Sequence, residues 1–177
     1  KPLDPEQVRP MALALLSNRI RATAPETFRF FAQEGVSIRV ISGDNPVTVS
    51  EVARRAGIAG AERYIDASTL KTEGDFARAA RECTVFGRVT PDNKKKLIRA
   101  MKKEGHTVAM TGDGVNDVLA LREADCGIAM ASGSQAASQV AQLVLLQSDF
   151  AAMRGVVGEG RRVINNIQRA AALFLVK

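Results

Sequence analysis

Short apolar runs alternate with longer stretches whose apolar residues recur at helical spacing along most of the chain. Residues 11–16 (Met-Ala-Leu-Ala-Leu-Leu) read as a first strand. Thr23-Ala-Pro-Glu26 reads as a capping box, opening a helix that carries Phe28, Phe31 and Ala32 on one face and stops at Gly35. Residues 36–41 are rich in β-branched side chains and predict a second strand. Asn45 is placed to cap a helix whose first residue is Pro46, with Val49, Val52, Ala53 and Ala56 inward and Gly57 at its end. Residues 59–81 are weakly patterned and predict only a short helix near 76–81. A strand at 84–86 follows. Next comes a helix with Thr90 as cap, Pro91 at its first position, Leu97, Ile98 and Met101 inward and Gly105 as stop. Strands are then expected at 106–110, 126–130 and 143–146, with helices from Val118, over 134–141, and continuously from about Phe150. Strand and helix in alternation predict an α/β fold: a Rossmann-like parallel sheet with right-handed crossovers, flanked by helices.

Chemistry-bearing residues fall where three of these strands end. Thr111-Gly112-Asp113-Gly114-Val115-Asn116-Asp117 puts two carboxylates and an amide in a glycine-rich turn after the strand at 106–110. Open α/β sheets bind ligands at that edge, and two acids on a tight turn suit Mg²⁺, a hard cation that takes oxygen ligands and favours phosphate partners. Ser42-Gly43-Asp44 follows another strand and offers a hydroxyl and backbone N–H groups to phosphate oxygens. Lys94 opens the helix after a third and offers a positive charge. Taken singly, each has a plain structural reading: a helix cap, a turn, a solvated lysine face. Together they are equipment for phosphoryl transfer, where catalysis is mostly positioning and charge stabilisation.

Composition narrows the field. At 177 residues and 46% hydrophobic the chain can bury a core of one domain or slightly more. The net charge of +6 is spread along the chain, and one Tyr with no Trp gives no stacking platform, so nucleic acid is not an expected partner. Cys83 and Cys126 fit no metal spacing and read as free, buried thiols of a reducing compartment. No apolar run of about 20 residues is present. Residues 170–176 are apolar but brief. Residues 1–10, with three prolines, read as a linker or a cut end.

These motifs resemble those of the P-type cation-pumping ATPases, a branch of the haloacid dehalogenase-like superfamily. TGDGVND is the most specific match. ISGDN resembles the family's TGDN element with Ser42 in place of Thr, and RVTPDNKKKLI resembles the element bearing the active-site lysine, here Lys94. EADCGIAMASGSQAA and EGRRVINNIQRA match the end of the phosphorylation domain and the stalk of the next membrane helix. The resemblance covers roughly residues 10–177.

The resemblance implies specific roles. Asp113 would bind the catalytic Mg²⁺, and Lys94 would contact the transferred phosphoryl group. Ser42 and Gly43 would bond its oxygens, and Gly112, Asn116 and Asp117 would complete the pocket. Asp44 would lie near the nucleotide or the domain hinge, and Arg88 near the nucleotide. It implies residues 1–10 as linker, 11–154 as an incomplete phosphorylation domain and 155–177 as a C-terminal stalk helix. Mg²⁺ and ATP would be cofactor and substrate. The partners would be the nucleotide-binding, actuator and membrane domains of an integral membrane pump, with this portion on the cytoplasmic side.

Two departures stand out. Val118 and Leu119 replace the family's Ala-Pro after Asp117, and the family's nucleophile motif, DKTGT, is absent. The chain by itself is therefore expected to be inactive. The strand that bears DKTGT would lie between those ending at Ser42 and Thr111. Without it those two strands pair directly, or residues 11–16 or a second chain fill the gap, or an exposed edge invites self-association. The alternatives are a free-standing haloacid dehalogenase-like phosphatase and a binding module that has lost its nucleophile. A dinucleotide-binding domain fits less well, since no Gly-x-Gly-x-x-Gly follows a strand.

Overall fold

The computed structural model describes residues 11–12 and 19–175. The linker expected at 1–10 and all but Met11 and Ala12 of the strand expected at 11–16 lie outside the described residues. In chain order the elements are α1 (Ala24–Gln33), β1 (Val40–Ile41), α2 (Pro46–Arg55), β2 (Tyr64–Asp66), α3 (Glu73–Glu82), β3 (Val85–Gly87) and α4 (Pro91–Lys103). They continue with β4 (Ala109–Gly112), α5 (Val118–Glu123), β5 (Cys126–Met130), α6 (Gln135–Val140), β6 (Leu143–Leu145) and α7 (Met153–Leu175).

All strand pairs are parallel, as the alternation predicts, but among the described residues they form two sheets, β1-β3-β2 and β4-β5-β6. β1 and β4 do not pair with each other, so of the alternatives expected across the gap direct pairing is not the one found. The two sheets are joined instead through side chains. Ile41 and Val108 each pack against both the cluster containing Phe86, Leu97 and Met101 and the cluster containing Met110, Leu121 and Ala129.

Several local expectations shift for identifiable reasons. β1 is two residues long, not six, because the Val36 N–H turns back to the Phe31 carbonyl at 2.9 Å to close α1, leaving Val36 exposed. β4 begins at Ala109, not His106, because the His106 N–H is spent on the Met101 carbonyl at the end of α4. β4 then runs on into the glycine motif, with Thr111 opposite Ile128 and Gly112 opposite Ala129. Thr23 does not form a capping box: its backbone is already helical (φ −75°, ψ −16°) and its side chain makes no cap bond. In its place the Thr27 hydroxyl donates to the Thr23 carbonyl at 2.8 Å. Ala32 and Val52 are exposed. Thr27 and Ser50 take the inward positions, and the Ser50 hydroxyl donates to the Ala61 carbonyl at 2.8 Å. Cys83 and Cys126 are free, as expected, but half-buried, not buried.

α7 is 23 residues long and begins against the domain, where Met153 is buried. Arg154 pairs with Glu26 at 2.8 Å and Arg161 with Glu34, so α7 runs parallel to α1. Beyond that point its residues are exposed, including Ile164, Ile167, Leu173, Phe174 and Leu175. No helix among the described residues is long and apolar enough to cross a membrane.

Candidate functional site

The site is built where β4 meets α5. Gly112 ends the strand, and a Cβ there would lie 2.6 Å from the Cβ of Asp117, so only glycine lets the turn fold back on itself. Residues Val115–Asp117 form a single tight turn before α5 begins. That turn brings Asp117 inward to 7% exposure and leaves Val115 and Asn116 at the surface. The buried carboxylate is fully engaged. Its Oδ2 accepts the N–H of Gly114 at 3.1 Å and, at 3.3 Å, that of Asp113. Its Oδ1 lies 2.6 Å from the Lys94 ammonium.

Lys94 reaches this position because α4 starts where the sequence says it should. Thr90 accepts the Asn93 N–H at 3.3 Å and Pro91 occupies the first helical position. One turn in, Lys94 faces the glycine turn and is 14% exposed, whereas its neighbour Lys95 is 39% exposed. The lysine run is therefore not one solvated face.

Asp113 differs from Asp117. Its side chain is exposed and makes no hydrogen bond or ion pair among the described residues. It lines a cavity of about 330 Å³ together with Arg21, Thr23, Ser132 and Asp149. Its backbone carbonyl accepts the Ser134 N–H at 2.6 Å.

A second group forms at the ends of β1 and β3. The Asp44 N–H donates to Ser42 Oγ at 3.2 Å, and the Ser42 hydroxyl donates to Asp44 Oδ2 at 3.3 Å. Asn45 caps α2 as expected, accepting the Val47 N–H at 3.0 Å. Nothing lies closer than 4.0 Å to where a Gly43 Cβ would be, so this turn is open on its outer side. Arg88 holds the group together. Its N–H donates to the Asp44 carbonyl at 2.8 Å and its guanidinium to Asp66 at 2.9 Å. It adopts φ +49°, in the left-handed region.

Lys94, Gly112, Asp113 and Asp117 thus come together at one strand end, and Ser42, Gly43, Asp44 and Arg88 at a neighbouring one. Among the described residues no hydrogen bond or ion pair joins the two groups, and the exposed Asn116 side chain makes no hydrogen bond to either. Asp66 is a participant that sequence reasoning missed; its only signal is an acid at the end of the three-residue strand β2. Its carboxyl is held below the usual range, chiefly by the Ser68 hydroxyl and N–H and further by Arg88. No three His, Cys, Asp or Glu side chains cluster around a metal position among the described residues. The exposed Asp113 carboxylate, unpaired among the described residues, suits Mg²⁺, which uses one or two carboxylates and completes its shell with water and substrate phosphates.

Comparison with known proteins adds to this geometry. A family model described as haloacid dehalogenase-like hydrolase matches residues 2–125. The chain is 49% identical over 177 residues to the probable cation-transporting ATPase exp7 of Streptococcus pneumoniae, covering all of this chain and 23% of that protein. It is 52% identical over 174 residues to the calcium-transporting ATPase CtpE of Mycolicibacterium smegmatis, covering 98% of this chain and 22% of that one. The chain therefore spans less than a quarter of these relatives' length. Among solved structures, the catalytic domain of the CPx-ATPase CopB-B aligns with TM-score 0.59 and 25% identity over 75% of this chain and 44% of that one. A zinc-transporting PIB-type ATPase aligns with TM-score 0.67 over 86% of this chain and 21% of its own; at 23% identity that likeness concerns the fold alone.

Proposed function

Because the chain belongs to the haloacid dehalogenase-like hydrolase family and matches the phosphorylation domain of cation-transporting P-type ATPases, we propose that it supplies the metal- and phosphate-binding groups of an ATP-driven cation pump. The observation that carries this reading is the buried Lys94–Asp117 pair at 2.6 Å beside the exposed Asp113 carboxylate. It sets a cation and an uncommitted anion side by side at a strand end. Asp113 would hold Mg²⁺, which would offset charge on a bound phosphoryl group. Lys94, already oriented by Asp117, would bind a phosphoryl oxygen. Ser42 and the N–H of Gly43 would bind others. Arg88 and Asp44 would border the nucleotide, and Asn116 would stand at the rim. Preset donors of this kind require no reorganisation during the reaction.

The attacking group would come from elsewhere in the parent protein. Asp117 is engaged with Lys94, and a carboxylate committed to Mg²⁺ is not free to attack. The inner edges of β1 and β4, unpaired with each other, are where a strand carrying that group, or a second copy of the chain, would add. α7 would be the root of a membrane helix, with Arg161, Arg162 and Arg169 on the cytoplasmic flank. The nucleotide-binding, actuator and membrane domains would be its partners, and Ca²⁺ is the first cation to test, given the transport named for a relative 52% identical.

The test is acid-quenched labelling with γ-labelled ATP and Mg²⁺. The full-length parent should form a hydroxylamine-sensitive acyl phosphate, and the 177-residue chain should not. A stoichiometric acyl phosphate on the isolated chain overturns the division of labour proposed here.

A further inference from the structure

We propose that Gly133 and the backbone amide of Ser134 are positioning groups that fix the direction of the Asp113 carboxylate. The loop after β5 lies flat against the backbone of Asp113. A Cβ built at Gly133 would fall 2.5 Å from the Asp113 carbonyl oxygen and 2.9 Å from both its Cα and its Cβ. No side chain fits in that space, because real Cβ atoms do not come within 3.0 Å of backbone. One residue on, the Ser134 N–H donates to the same carbonyl at 2.6 Å. Asp113 is thus gripped through its carbonyl and seated through its Cα and Cβ, while its carboxylate stays unpartnered among the described residues and faces the cavity.

The loop that does this is itself held at both ends. The Ser132 N–H donates to Ser148 Oγ at 2.8 Å, tying the loop to the segment after β6. The Gly133 N–H donates to the Met130 carbonyl at 2.9 Å. Ser134 Oγ accepts the Ala137 N–H at 3.1 Å and so caps α6. A glycine turn on its own leaves a carboxylate free to swing. Here the second loop fixes the Cα and Cβ from which that carboxylate projects, and outer contacts that orient a ligand typically change metal affinity by about 10–100-fold.

The inference rests on Asp113 being the metal ligand, and the test separates the two claims. Mn²⁺ serves as probe in place of Mg²⁺, with free Mn²⁺ read by electron paramagnetic resonance during titration of the 177-residue chain. Asp113→Asn should abolish tight binding. Gly133→Ala should weaken it about 10–100-fold. Ser134→Pro should weaken it comparably, since proline removes the N–H while its ring suits the φ of −71° found there. Ser134→Ala keeps the N–H and loses only the cap, so it should lower the thermal midpoint and leave Mn²⁺ affinity within about twofold. Gly155→Ala, with nothing within 4 Å of its Cβ position, is the neutral glycine control.

If the unsubstituted chain or Asp113→Asn binds Mn²⁺ no differently from the other, the metal assignment itself falls. If Asp113→Asn loses binding while Gly133→Ala and Ser134→Pro bind like the unsubstituted chain, only the positioning role falls. Should Gly133→Ala fail to fold, the contrast between Ser134→Pro and Ser134→Ala decides.

Discussion

Asp117 stands between a positive charge and its own chain: Lys94 reaches one carboxylate oxygen at 2.6 Å, and the N–H groups of Gly114 and Asp113 reach the other at 3.1 and 3.3 Å. The side chains are only 14% and 10% exposed. Removing the ammonium strands a buried carboxylate, which costs far more than losing a surface pair. Lys94→Met should therefore destabilise the chain by about 3 kcal/mol in urea unfolding. Lys95→Met, whose partner Glu123 lies 4.0 Å away at the surface, should stay within about 0.5 kcal/mol. Equal midpoints for the two variants would show that the pair is not buried in solution. In the parent, Lys94→Met should slow phosphoryl transfer by about 10²-fold or more.

Two glycine substitutions should move stability in opposite directions. At Gly87 an added Cβ would meet Pro46 Cα at 2.4 Å, where β3 packs under the start of α2. Gly87→Ala should cost about 1–3 kcal/mol through overpacking. Gly155, in the exposed part of α7 with open space around it, has no such constraint. Gly155→Ala should gain about 0.5–1 kcal/mol from helix propensity. Thermal unfolding of the two variants checks both signs.

Arg88 carries a local conflict. Its φ of +49° is unfavourable for a side-chain-bearing residue, yet its N–H to Asp44 and its guanidinium to Asp66 keep it there. Arg88→Gly relieves the backbone while losing the ion pair, and Arg88→Ala loses the ion pair while keeping the strain. The glycine variant should be the more stable of the two by about 1 kcal/mol. Both should raise the KM for nucleotide in the parent. A glycine variant less stable than the alanine one would locate the strain elsewhere.

Acid should destabilise the fold through a definite set of carboxylates. Asp75 is held below its usual value by the Thr72 N–H, then the Thr72 hydroxyl and the Lys71 N–H. Asp125 is held low by the Val108 N–H and then by Lys102, and Glu123 chiefly by its hydrogen bond from Arg99. Near pH 4 the unfolded chain binds protons that these groups refuse in the folded state, so stability rises with pH there. Their contribution is full above the ordinary carboxylate range and is lost as pH falls through the lower folded values. The urea midpoint should drop below about pH 4, and Asp75→Asn should flatten that drop.

The elements legible in the sequence were those with a local stop and start: Asn45-Pro46 and Thr90-Pro91 cap helices as read, and β5 spans the residues expected. The meeting of Lys94 with the glycine turn was legible because Gly-Asp-Gly and the lysine after Thr90-Pro91 are short-range patterns. What escaped depends on contacts distant in sequence. β2 is only three residues and is recognisable by its pairing with β3, not by its own pattern. Asp66 joins the site only because β2 and β3 lie side by side, bringing it to Arg88. Nothing local in the sequence marks Gly133, because its close approach to Asp113 depends on the turn after β4, twenty residues earlier. The break between β1 and β4 was legible only through the missing DKTGT strand, since hydrophobic periodicity says which face a strand buries and nothing about which neighbour it has.

α7 makes the domain a lever. Its last tie to α1 is the Arg161–Glu34 pair, and the helix continues to Leu175. At 1.5 Å of rise per residue that leaves an arm of about 21 Å beyond the fulcrum. A rotation of the domain by about 10° would displace Leu175 by roughly 4 Å, about two-thirds of the ~5.4 Å helical pitch. The fulcrum joins these two arginine–glutamate contacts to a packed foot, where Met153 is buried with Phe31, Ile128 and Leu145 and Val157 lies against them, so the throw is set by how stiffly that foot holds. Any rotation of the domain would therefore appear at the far end of α7 as displacement.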